Sequence, residues 1–569
     1  MKTRKTLSLL LTLLLAALMI VPAAAADGEL SAPGELPIWK GAEPYKLTIL
    51  VQPNDYVTDF ENNDFTHWIE ETCNVDLEFE YLPKTDTDDK LAIMVQSGDK
   101  LPDIVCYGIN KATAYAYGDN GAFLNLRDFY DRGLAVNMSS AVSRFPEWNL
   151  LGSITNYDGS VYTVPRFQAS RDNEVKYKMW INQSFLDNLG MEMPKTTEEF
   201  KQMLIRFRDE DANGNGDPSD ELPLLGCTSW GGDIVKFLTN AFVFEGDDDM
   251  WMLQDGKVTA SYLQDAWFDA CDYLQDLAAE NLLLPQSFTY ERNDIAAVGK
   301  TNNVVGAITA SQIYFMQNTE EGAEDLAFNY RSCDPLTGPE GYCCVAFAAS
   351  SAQPEWFVTS DCSNPELAFR VGDFIFCEEG FLRGYWGVEG QNYLTVEDFQ
   401  AAYPGIPIGE PKAETGLKAL YVTNTPDGKY QQAFQHAGNV HWYSQMPYFS
   451  GTLDAQVVGP KTDLEGNDIA SAEVSLVTRQ KDATDIAQTK KPGADIYCPD
   501  LAFSSDELEE IAETRATLRS FVNEQRTLYI LGDKSSKLYD REAFLNELKI
   551  IGIDRVLELA NSAYERQYK

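Results

Sequence analysis

An acidic and amide-rich run at residues 211–221 carries the strongest metal-binding pattern in the sequence. Asp211, Asn213 and Asn215 stand at alternate positions, which are positions 1, 3 and 5 of an EF-hand-type calcium loop. Gly216 falls at position 6, where such a loop turns sharply. Calcium prefers the hard oxygen atoms that these side chains offer. An ordinary turn rich in Asp, Asn and Gly is the alternative interpretation.

The second half of this loop departs from the EF-hand pattern. Asp217, at position 7, would contribute its backbone carbonyl, whereas position 12, normally a bidentate Glu, is Leu222. The acidic pair Asp220 and Glu221 comes earlier instead. The sequence therefore predicts a compressed loop that holds a structural Ca²⁺ ion. The predicted ligands are Asp211, Asn213, Asn215, Asp217, Asp220 and Glu221.

The sequence contains no complete motif for a catalytic nucleophile, a phosphate-binding loop or a zinc site. No GxSxG nucleophile motif occurs, and the Gly-Lys-Thr at 299–301 is not a phosphate-binding loop, because Asp294 replaces its first Gly. His436 and His441 lack the HExxH context of a zinc site. The chain holds 88 Asp and Glu residues, so a glycosidase-like carboxylate pair would occur by chance and predicts nothing alone.

Several blocks of sequence, around the calcium loop and elsewhere along the chain, are informative because of the order in which they follow one another. They are the runs 97–104, 158–165, 180–200, 386–393 and 551–565. In this order they resemble the extracellular solute-binding proteins of bacterial ABC importers, in particular the calcium-loop-bearing branch that takes oligosaccharides. This sequence departs from the pattern of that branch by one extra residue before the acidic pair Asp220 and Glu221.

This resemblance implies a fold, a function and partners. The implied fold is α/β, with the two-lobed periplasmic-binding-protein architecture (type II, Venus-flytrap) and extra C-terminal helices. The implied function is to capture an oligosaccharide between the lobes and deliver it to the permease subunits of the importer, without chemistry on the ligand. A secreted, calcium-stabilised carbohydrate-active enzyme and a peptide-binding surface protein are the alternatives.

The resemblance also implies a division of the chain. The boundaries follow the predicted crossings between lobes near residues 177–181 and 345. We expect a flexible leader at 27–43, a first lobe at 44–169 plus 346–395, and a second lobe at 170–345 plus 396–569. The second lobe would contain the calcium loop and the closing helices.

The N-terminus has the pattern of a secretion signal. Three basic residues within the first five precede the apolar run 7–21, and small residues follow. This pattern predicts a signal peptide at 1–26, cleaved before Asp27. No cysteine precedes Cys73, so the sequence has no lipobox, and we expect a secreted or envelope-associated protein without a lipid anchor.

Size and charge restrict the class of protein further. The chain has 569 residues, of which 44% are hydrophobic. This length is more than a single hydrophobic core usually holds, so the sequence predicts two or more lobes. A net charge of −43 would repel nucleic acid and anionic lipid and suits a neutral or cationic ligand, although solubility alone explains it equally well. We expect a monomer that binds no nucleic acid.

The ten cysteines are scattered, without a CxxC pair. Cys73, Cys106, Cys271 and Cys377 lie in apolar segments and are expected to be small core residues. Cys343–Cys344 is a vicinal pair with poor geometry for a disulfide. We expect mostly free, buried thiols.

The first hundred residues alternate between strand and helix patterns. Residues 46–51 are nearly all apolar, as in a parallel strand covered on both faces, whereas apolar and acidic residues alternate over 75–81. Helical patterns near 65–69 and at 88–96 separate these strands from each other and from the run 103–106. This βαβαβ order predicts a mostly parallel sheet.

Helix signals mark the later parts of the chain. A capping box at 196–199 precedes an apolar stripe, and residues 263–277 have an amphipathic pattern. Residues 364–366 and 504–507 begin two further helices, while the run 304–308 predicts an inner strand of the second sheet.

Aromatic side chains at predicted strand ends and crossings are candidate sugar contacts. Sugar C–H faces pack on aromatic rings, and ligands of open α/β sheets bind at the carboxyl ends of strands. An ordinary core position is the alternative for each residue, and Trp68 and Trp267 are assigned to the core. The predicted ligand-binding residues are Tyr107, Trp180, Trp230, Tyr314, Trp386 and Glu389.

Overall fold

The computed structural model describes residues 29–569 apart from the following gaps: 54–55, 58, 145–148, 169–170, 247, 302, 317–325, 351, 410–417, 432, 434–437, 444, 451–455, 463, 465 and 467–469. Two α/β lobes make up most of the molecule. None of the helices described combines the length and apolar character that a membrane crossing requires.

The first lobe contains six strands: β1 (Tyr45–Val51), β2 (Val75–Tyr81), β3 (Ile104–Cys106), β4 (Val164–Phe167), β11 (Gln353–Val358) and β14 (Tyr448–Phe449). They form one sheet in the order β14-β4-β11-β3-β1-β2. β11 is antiparallel to both its neighbours, and the other pairs are parallel. The predicted parallel βαβαβ unit is confirmed, because β1, β2 and β3 pair in parallel.

Side-chain burial explains the first two strands. β1 presents Leu47, Ile49 and Leu50 to cores on both faces, as its nearly continuous apolar sequence predicts. β2 alternates between buried and exposed side chains, as predicted from its acidic residues. The helices that cover this sheet are α1 (Asp64–Cys73), α2 (Thr87–Ser97), α3 (Lys111–Asp119), α4 (Arg127–Asp131), α5 (Val136–Arg144), α6 (Leu150–Ile154), α13 (Pro365–Ile375) and α14 (Glu378–Phe381).

The second lobe is built on a four-stranded sheet. Its strands are β5 (Met179–Asn182), β6 (Leu222–Leu225), β9 (Val305–Thr309) and β10 (Tyr330–Cys333), in the order β10-β5-β9-β6. β9 lies between two neighbours, so the predicted inner strand is confirmed. A hairpin adds β7 (Trp251–Gln254) and β8 (Lys257–Ala260).

Helices on both sides of this sheet complete the second lobe. They are α7 (Arg171–Glu174), α8 (Gln183–Leu189), α9 (Thr197–Asp209), α10 (Ile234–Thr239), α11 (Asp265–Ala279), α12 (Arg292–Thr301), α16 (Ala470–Gln488), α17 (Ser505–Ile530), α18 (Arg541–Ile551) and α19 (Ile553–Tyr568). Thr196 and Ser504 form the predicted capping boxes of α9 and α17. The closing helices pack on the second lobe, where Val522, Phe544 and Val556 share a core with Trp267.

The leader before β1 packs against the first lobe. Ile38 and Trp39 are buried in its core, and the Arg370 guanidinium donates to the backbone oxygen of Ser31 at 2.7 Å. The prediction of a flexible leader at 27–43 is therefore wrong for the part described, from residue 29 onward. Two large apolar side chains anchor this segment, although its many Gly, Pro and Glu residues indicated flexibility.

The chain stays with the first lobe beyond the predicted boundary at residue 395. A small sheet of β12 (Leu394–Thr395), β13 (Tyr421–Val422) and β15 (Val457–Val458) packs with α15 (Val396–Ala402) against the first lobe's core. β14 joins the edge of the main sheet. The assignment of 396–569 to the second lobe is therefore wrong as far as β15, because these short strands pair with first-lobe partners.

All ten cysteines are free. Eight of them are buried, and Cys73, Cys106 and Cys271 lie in hydrophobic cores as predicted. Cys377 is half-buried at the edge of the core, and burial still raises its thiol pKa to about 11.

Candidate functional site

A cavity of about 510 Å³ lies between the two lobes. Residues 108–112, Tyr115 and 352–354 line it from the first lobe, and Trp251 and Arg515 are among those that line it from the second. The cavity thus has a wall from each lobe, and a ligand bound there would contact both.

The first-lobe wall continues from the end of β3. The backbone N–H groups of Tyr107 and Ile109 donate to the oxygens of Glu355 and Pro354, which extends the pairing of β3 with β11. The next residues begin α3, and Lys111 donates from Nζ to the Ser153 backbone oxygen at 2.7 Å. Burial lowers the pKa of this Lys111 amine. The wall therefore offers a fixed amine beside backbone groups of a strand end.

Aromatic rings and a paired guanidinium form much of the second-lobe wall. Arg515 of α17 donates from Nη2 to Asp249 Oδ2 at 2.5 Å, and its Cζ lies 4.8 Å from the ring centroid of Trp251. The ring centroid of Phe503 is 5.4 Å from the same atom. Rings beside fixed polar groups suit a ligand with apolar C–H faces and hydroxyl groups, such as a sugar.

A buried ion pair lies beneath the first-lobe wall. The Glu355 side chain is 1% exposed, and its Oε2 is 3.4 Å from Arg166 Nε, whose side chain is 23% exposed. Arg166 also donates to Gln353 Oε1, which belongs to the cavity lining. Burial raises the pKa of Glu355 to about 7, and the Arg166 cation opposes that rise.

Glu355 should make the stability of the protein depend on pH. Its carboxyl pKa rises from the ordinary 4.5 to about 7 in the fold. Over this window the folded state keeps a proton that the unfolded chain loses, so stability falls as pH rises, by up to about 1.4 kcal/mol per pH unit. In Glu355→Gln this contribution is absent. The expected result is that the melting temperature of wild type falls relative to that of Glu355→Gln between pH 4.5 and about 7. If the difference in melting temperature between the two proteins stays constant from pH 4.5 to about 7, the raised pKa of Glu355 is contradicted.

Trp230 is the most exposed of the predicted aromatic ligand residues whose side chains the structure describes. It follows β6, is 60% exposed and has a left-handed backbone conformation with φ of 53°. Its carbonyl accepts a hydrogen bond from Ser311 N–H at 2.9 Å, and Arg292 Cζ lies 4.3 Å from its ring centroid. Non-glycine residues in this conformation are strained and concentrate at functional sites. Trp230 is not part of the cavity lining, so its stacking on a sugar stays a prediction.

Trp180 and Trp386 lie in the protein core instead. Trp180 is fully buried in β5 and donates from Nε1 to the Ala310 oxygen at 3.0 Å. Trp386 is 7% exposed and packs in the core of the first lobe. Neither ring has a face available to a ligand in this conformation, so we reassign both to the core.

The other predicted contacts occupy different environments. Tyr107 is half-buried, donates to Asp88 at 2.9 Å and directly precedes the cavity lining. Glu389 is exposed on a turn before the small sheet, away from the cavity lining. The backbone of Tyr314 lies in a short helix after β9, and its side chain is outside the described part of the structure. The predicted residues whose side chains the structure describes are therefore not brought together in one group.

Several cavity residues were missed from sequence. Gly108, Lys111, Gln353 and Arg515 line the cavity, and Glu355 lies beneath it. A signal existed for Glu355, because it is a lone charge within the otherwise uncharged strand run 353–358. Such an isolated charge in a buried strand indicates a partner or a ligand.

The loop at 211–221 connects α9 to β6 and folds on itself. Gly216 N–H donates to Asp211 Oδ2 at 2.9 Å, and the amide groups of Asn213 and Asn215 donate to Asp220 at 2.9 and 2.7 Å. The side chain of Asp217 accepts from Ser219, which leaves its backbone carbonyl as the group predicted to bind an ion.

Two carboxylate oxygens of this loop are placed where they could bind a cation. Asp211 Oδ1 and Glu221 Oε2 are buried, and neither has a hydrogen-bond partner among the residues described. Burial raises the pKa of Glu221. Within the described chain, no group of three or more His, Cys, Asp or Glu side chains is arranged to hold a metal. Because three of the six predicted ligands are amide or carbonyl oxygens, the loop fits calcium better than a transition metal.

Two α/β lobes joined by several crossings form a cavity at their interface, which is a preferred place for a small-molecule site. Solved structures establish this fold. FusA of Streptococcus pneumoniae in complex with kestose matches with a TM-score of 0.68 and 19% identity, over 92% of this chain and 99% of that one. An extracellular solute-binding protein from Bifidobacterium longum subsp. infantis matches with a TM-score of 0.73 and 15% identity, over 92% of this chain and 99% of that one.

Sequence comparison finds relatives of the same class. The fructooligosaccharide ABC transporter substrate-binding protein FusA of Streptococcus pneumoniae is 26% identical over 351 residues, which are 59% of this chain and 62% of FusA. The polygalacturonan/rhamnogalacturonan-binding protein YtcQ of Bacillus subtilis is 22% identical over 343 residues, 58% of this chain and 63% of YtcQ. These matches span less than two thirds of either relative. No family model matches the chain.

These findings confirm the resemblance drawn from the sequence: FusA, found by both comparisons, is a substrate-binding protein of an ABC transporter, and the chain has the fold of such solute-binding proteins. Two of the neighbours bear on the loop at 211–221. One is an EF-hand mutant of FusA in complex with fructo-nystose, with a TM-score of 0.67, and the other is the alginate-binding protein AlgQ2 without calcium ion, with a TM-score of 0.62.

Proposed function

We propose that the chain is the substrate-binding component of a bacterial ABC importer. It captures an oligosaccharide between its lobes and delivers it to the membrane permease, without chemical change to the sugar. The observation that carries this proposal is the cavity of about 510 Å³ with a wall from each lobe. A ligand held by both walls stabilises the closed arrangement of the lobes, which a permease can distinguish from the open one.

The composition of the cavity supports a sugar as the ligand. Trp251, Phe503 and Tyr115 bring aromatic rings to the cavity, and Lys111 and Arg515 bring hydrogen-bond donors. The related proteins are named for fructooligosaccharides and for polygalacturonan or rhamnogalacturonan. Fructooligosaccharides are neutral and suit the strongly negative protein better than polyanionic galacturonan does.

Calorimetric titration with kestose, longer fructooligosaccharides and oligogalacturonates tests this function. We expect a neutral oligosaccharide to bind, and we expect Trp230→Ala to weaken that binding by about 1–3 kcal/mol, because an exposed ring that stacks on a sugar is lost. The melting temperature of this variant should stay near that of wild type, since Trp230 is 60% exposed.

A matched control and a mass measurement complete this test. Ile550→Ala removes a side chain that is 77% exposed on α18 and should leave affinity unchanged. The mass of the sugar should be unaltered after prolonged incubation, whereas fragments would support the carbohydrate-active enzyme instead. If no oligosaccharide binds wild type, the proposed function is wrong.

We further propose that the loop at 211–221 binds a structural Ca²⁺ ion. Asp211, Asp220 and Glu221 would supply carboxylate oxygens, Asn213 and Asn215 amide oxygens, and Asp217 its backbone carbonyl. The support is the pair of buried carboxylate oxygens that lack partners among the residues described. A bound ion would neutralise them and fix the connection between α9 and β6.

We also propose that the protein acts outside the cell membrane. The support is the basic and apolar pattern at the N-terminus, which predicts export. These first residues lie outside the part of the chain that the structure describes.

A further inference from the structure

An aromatic ring of the first lobe lies against a cation of the second lobe beside the cavity. Tyr157 stands in the turn after α6, and its ring centroid is 5.2 Å from Cζ of Arg566 in α19. A guanidinium within about 6 Å of a ring centroid is attracted to the face of the ring. The two side chains are 37% and 35% exposed, so this contact joins the lobes near the protein surface.

Tyr157 is held in place within the first lobe. The turn that carries it is closed by a hydrogen bond from Asn156 N–H to the Ser160 oxygen at 2.9 Å, and Asp158 Oδ1 accepts from Ser160 N–H at the same distance. The Tyr157 hydroxyl shares a hydrogen bond of 3.0 Å with the hydroxyl of Tyr115, which belongs to α3 and lines the cavity. The ring of Tyr157 therefore moves with the first lobe and is bonded to a residue of the cavity wall.

Arg566 is held in place within the second lobe. Its Nη1 and Nη2 donate to the two carboxylate oxygens of Glu507, each at 2.7 Å, and Nη2 also donates to the Ala502 oxygen at 3.3 Å. Glu507 belongs to the capping box of α17, and Ala502 lines the cavity. Because each partner is fixed within its own lobe, the distance between Tyr157 and Arg566 depends on how the lobes are placed relative to each other.

We propose that Tyr157 and Arg566 form an interlobe latch that stabilises the closed arrangement of the lobes. The latch makes Tyr157 a positioning residue for the sugar site, since its hydroxyl is bonded to Tyr115 in the cavity wall. This inference rests on the proposed function and adds a contact that sets how readily the lobes close. A closed state that is stabilised by its own contacts needs less binding energy from the ligand to become the main state.

Tyr157→Leu tests the latch through the kinetics of sugar binding. The variant loses the ring face, so we expect the sugar to dissociate about two- to fivefold faster, with an association rate near that of wild type. The sugar is whichever of kestose, a longer fructooligosaccharide or an oligogalacturonate wild type binds. Stopped-flow measurement of tryptophan fluorescence gives both rates, since Trp251 lines the cavity.

Small-angle X-ray scattering of the sugar-free protein measures closure without a ligand. The radius of gyration of Tyr157→Leu should exceed that of wild type, because a smaller fraction of the molecules is closed. Saturation with sugar should reduce this difference, since the ligand stabilises the closed arrangement in both proteins.

Tyr539→Leu is the matched control for the ring. Tyr539 is 38% exposed and its ring centroid is 3.9 Å from Lys534 Nζ, but both of these residues belong to the second lobe. The Tyr539 hydroxyl accepts from Gln275 Nε2 at 2.7 Å, so this variant also loses a comparable hydrogen bond. Its rates and its radius of gyration should match those of wild type.

Arg566→Gln removes the cation of the latch. It should have the same effects as Tyr157→Leu, and the double variant should show little further effect, because either change alone abolishes the contact. Arg555→Gln is its control, since Arg555 of α19 likewise donates to both carboxylate oxygens of a glutamate in α17, Glu510, at 2.6 and 3.0 Å. That ion pair lies within the second lobe, so this control should behave like wild type.

The outcomes separate the latch from the function itself. Wild-type rates and radius of gyration in both Tyr157→Leu and Arg566→Gln would overturn the latch and leave sugar binding intact. Equal effects in Tyr539→Leu and Arg555→Gln would show a general loss of stability and would also overturn it. If wild type binds none of these sugars, the proposed function is wrong, and the radius of gyration of the sugar-free proteins alone decides whether the latch closes the lobes.

Discussion

Arg526→Met is expected to destabilise the second lobe by about 3–5 kcal/mol, because it leaves a buried carboxylate without its counter-ion. Arg526 of α17 donates from Nη1 to both oxygens of Glu245, at 2.9 and 2.8 Å, and Glu245 is fully buried. Trp267 Nε1 donates to the same carboxylate at 3.1 Å. Thermal unfolding followed by calorimetry measures the loss.

Two further variants show whether the buried charge is the cause. Arg519→Met removes another arginine of α17, whose side chain is 41% exposed and 3.7 Å from Asp249, and should cost less than about 1 kcal/mol. The double change Glu245→Leu with Arg526→Met removes both charges and should recover much of the lost stability. An unchanged melting temperature in Arg526→Met would show that the pair contributes nothing.

Chelation of calcium is expected to lower the melting temperature of wild type. A ligand that binds the native state alone stabilises it by about 2.7 kcal/mol at a hundredfold excess over its dissociation constant. The partnerless oxygens of Asp211 and Glu221 are buried, so an ion between them would remove an electrostatic cost as well. Differential scanning calorimetry with EGTA, and again with added CaCl₂, measures the effect.

Asp211→Ala should remove this sensitivity to chelator. A suitable control is Asp427→Ala. Asp427 accepts hydrogen bonds from Tyr403 and Thr425 near the small sheet of the first lobe, far in sequence from the loop at 211–221. That variant should remain as sensitive to chelator as wild type. Identical melting curves of wild type with EGTA and with CaCl₂ would reject a calcium ion in this loop.

The elements that were predicted correctly depend on short-range patterns. The apolar run of β1, the alternation in β2 and the capping box at Thr196 each follow from neighbouring residues. The boundary at 395 depended instead on which lobe the short strands β12–β15 would join. Strands of two residues carry little pattern of their own, and their partners lie far away in sequence.

The candidate site was harder to predict for a similar reason. Trp180 and Trp230 both follow the rule for aromatic residues near strand ends or crossings, yet one is fully buried and the other 60% exposed. Their exposure depends on what packs over each ring, which composition does not show. Gly108 lies against the ion pair of Glu355 and Arg166, whose residues are far from it in sequence, and that contact exists only in the folded chain.

The position of β11 in the first sheet sets the order in which the lobes can be completed. β11 lies between β3 and β4, and the contact of Arg166 with Gln353 closes a separation of 187 residues. All four strands of the second sheet, from Met179 to Cys333, lie within that interval. A chain synthesised from its N-terminus can therefore pair the second sheet while β3 and β4 still have open edges. Long-range closure is slow and open strand edges promote aggregation, so the lobe that begins first is the one most exposed to misassembly.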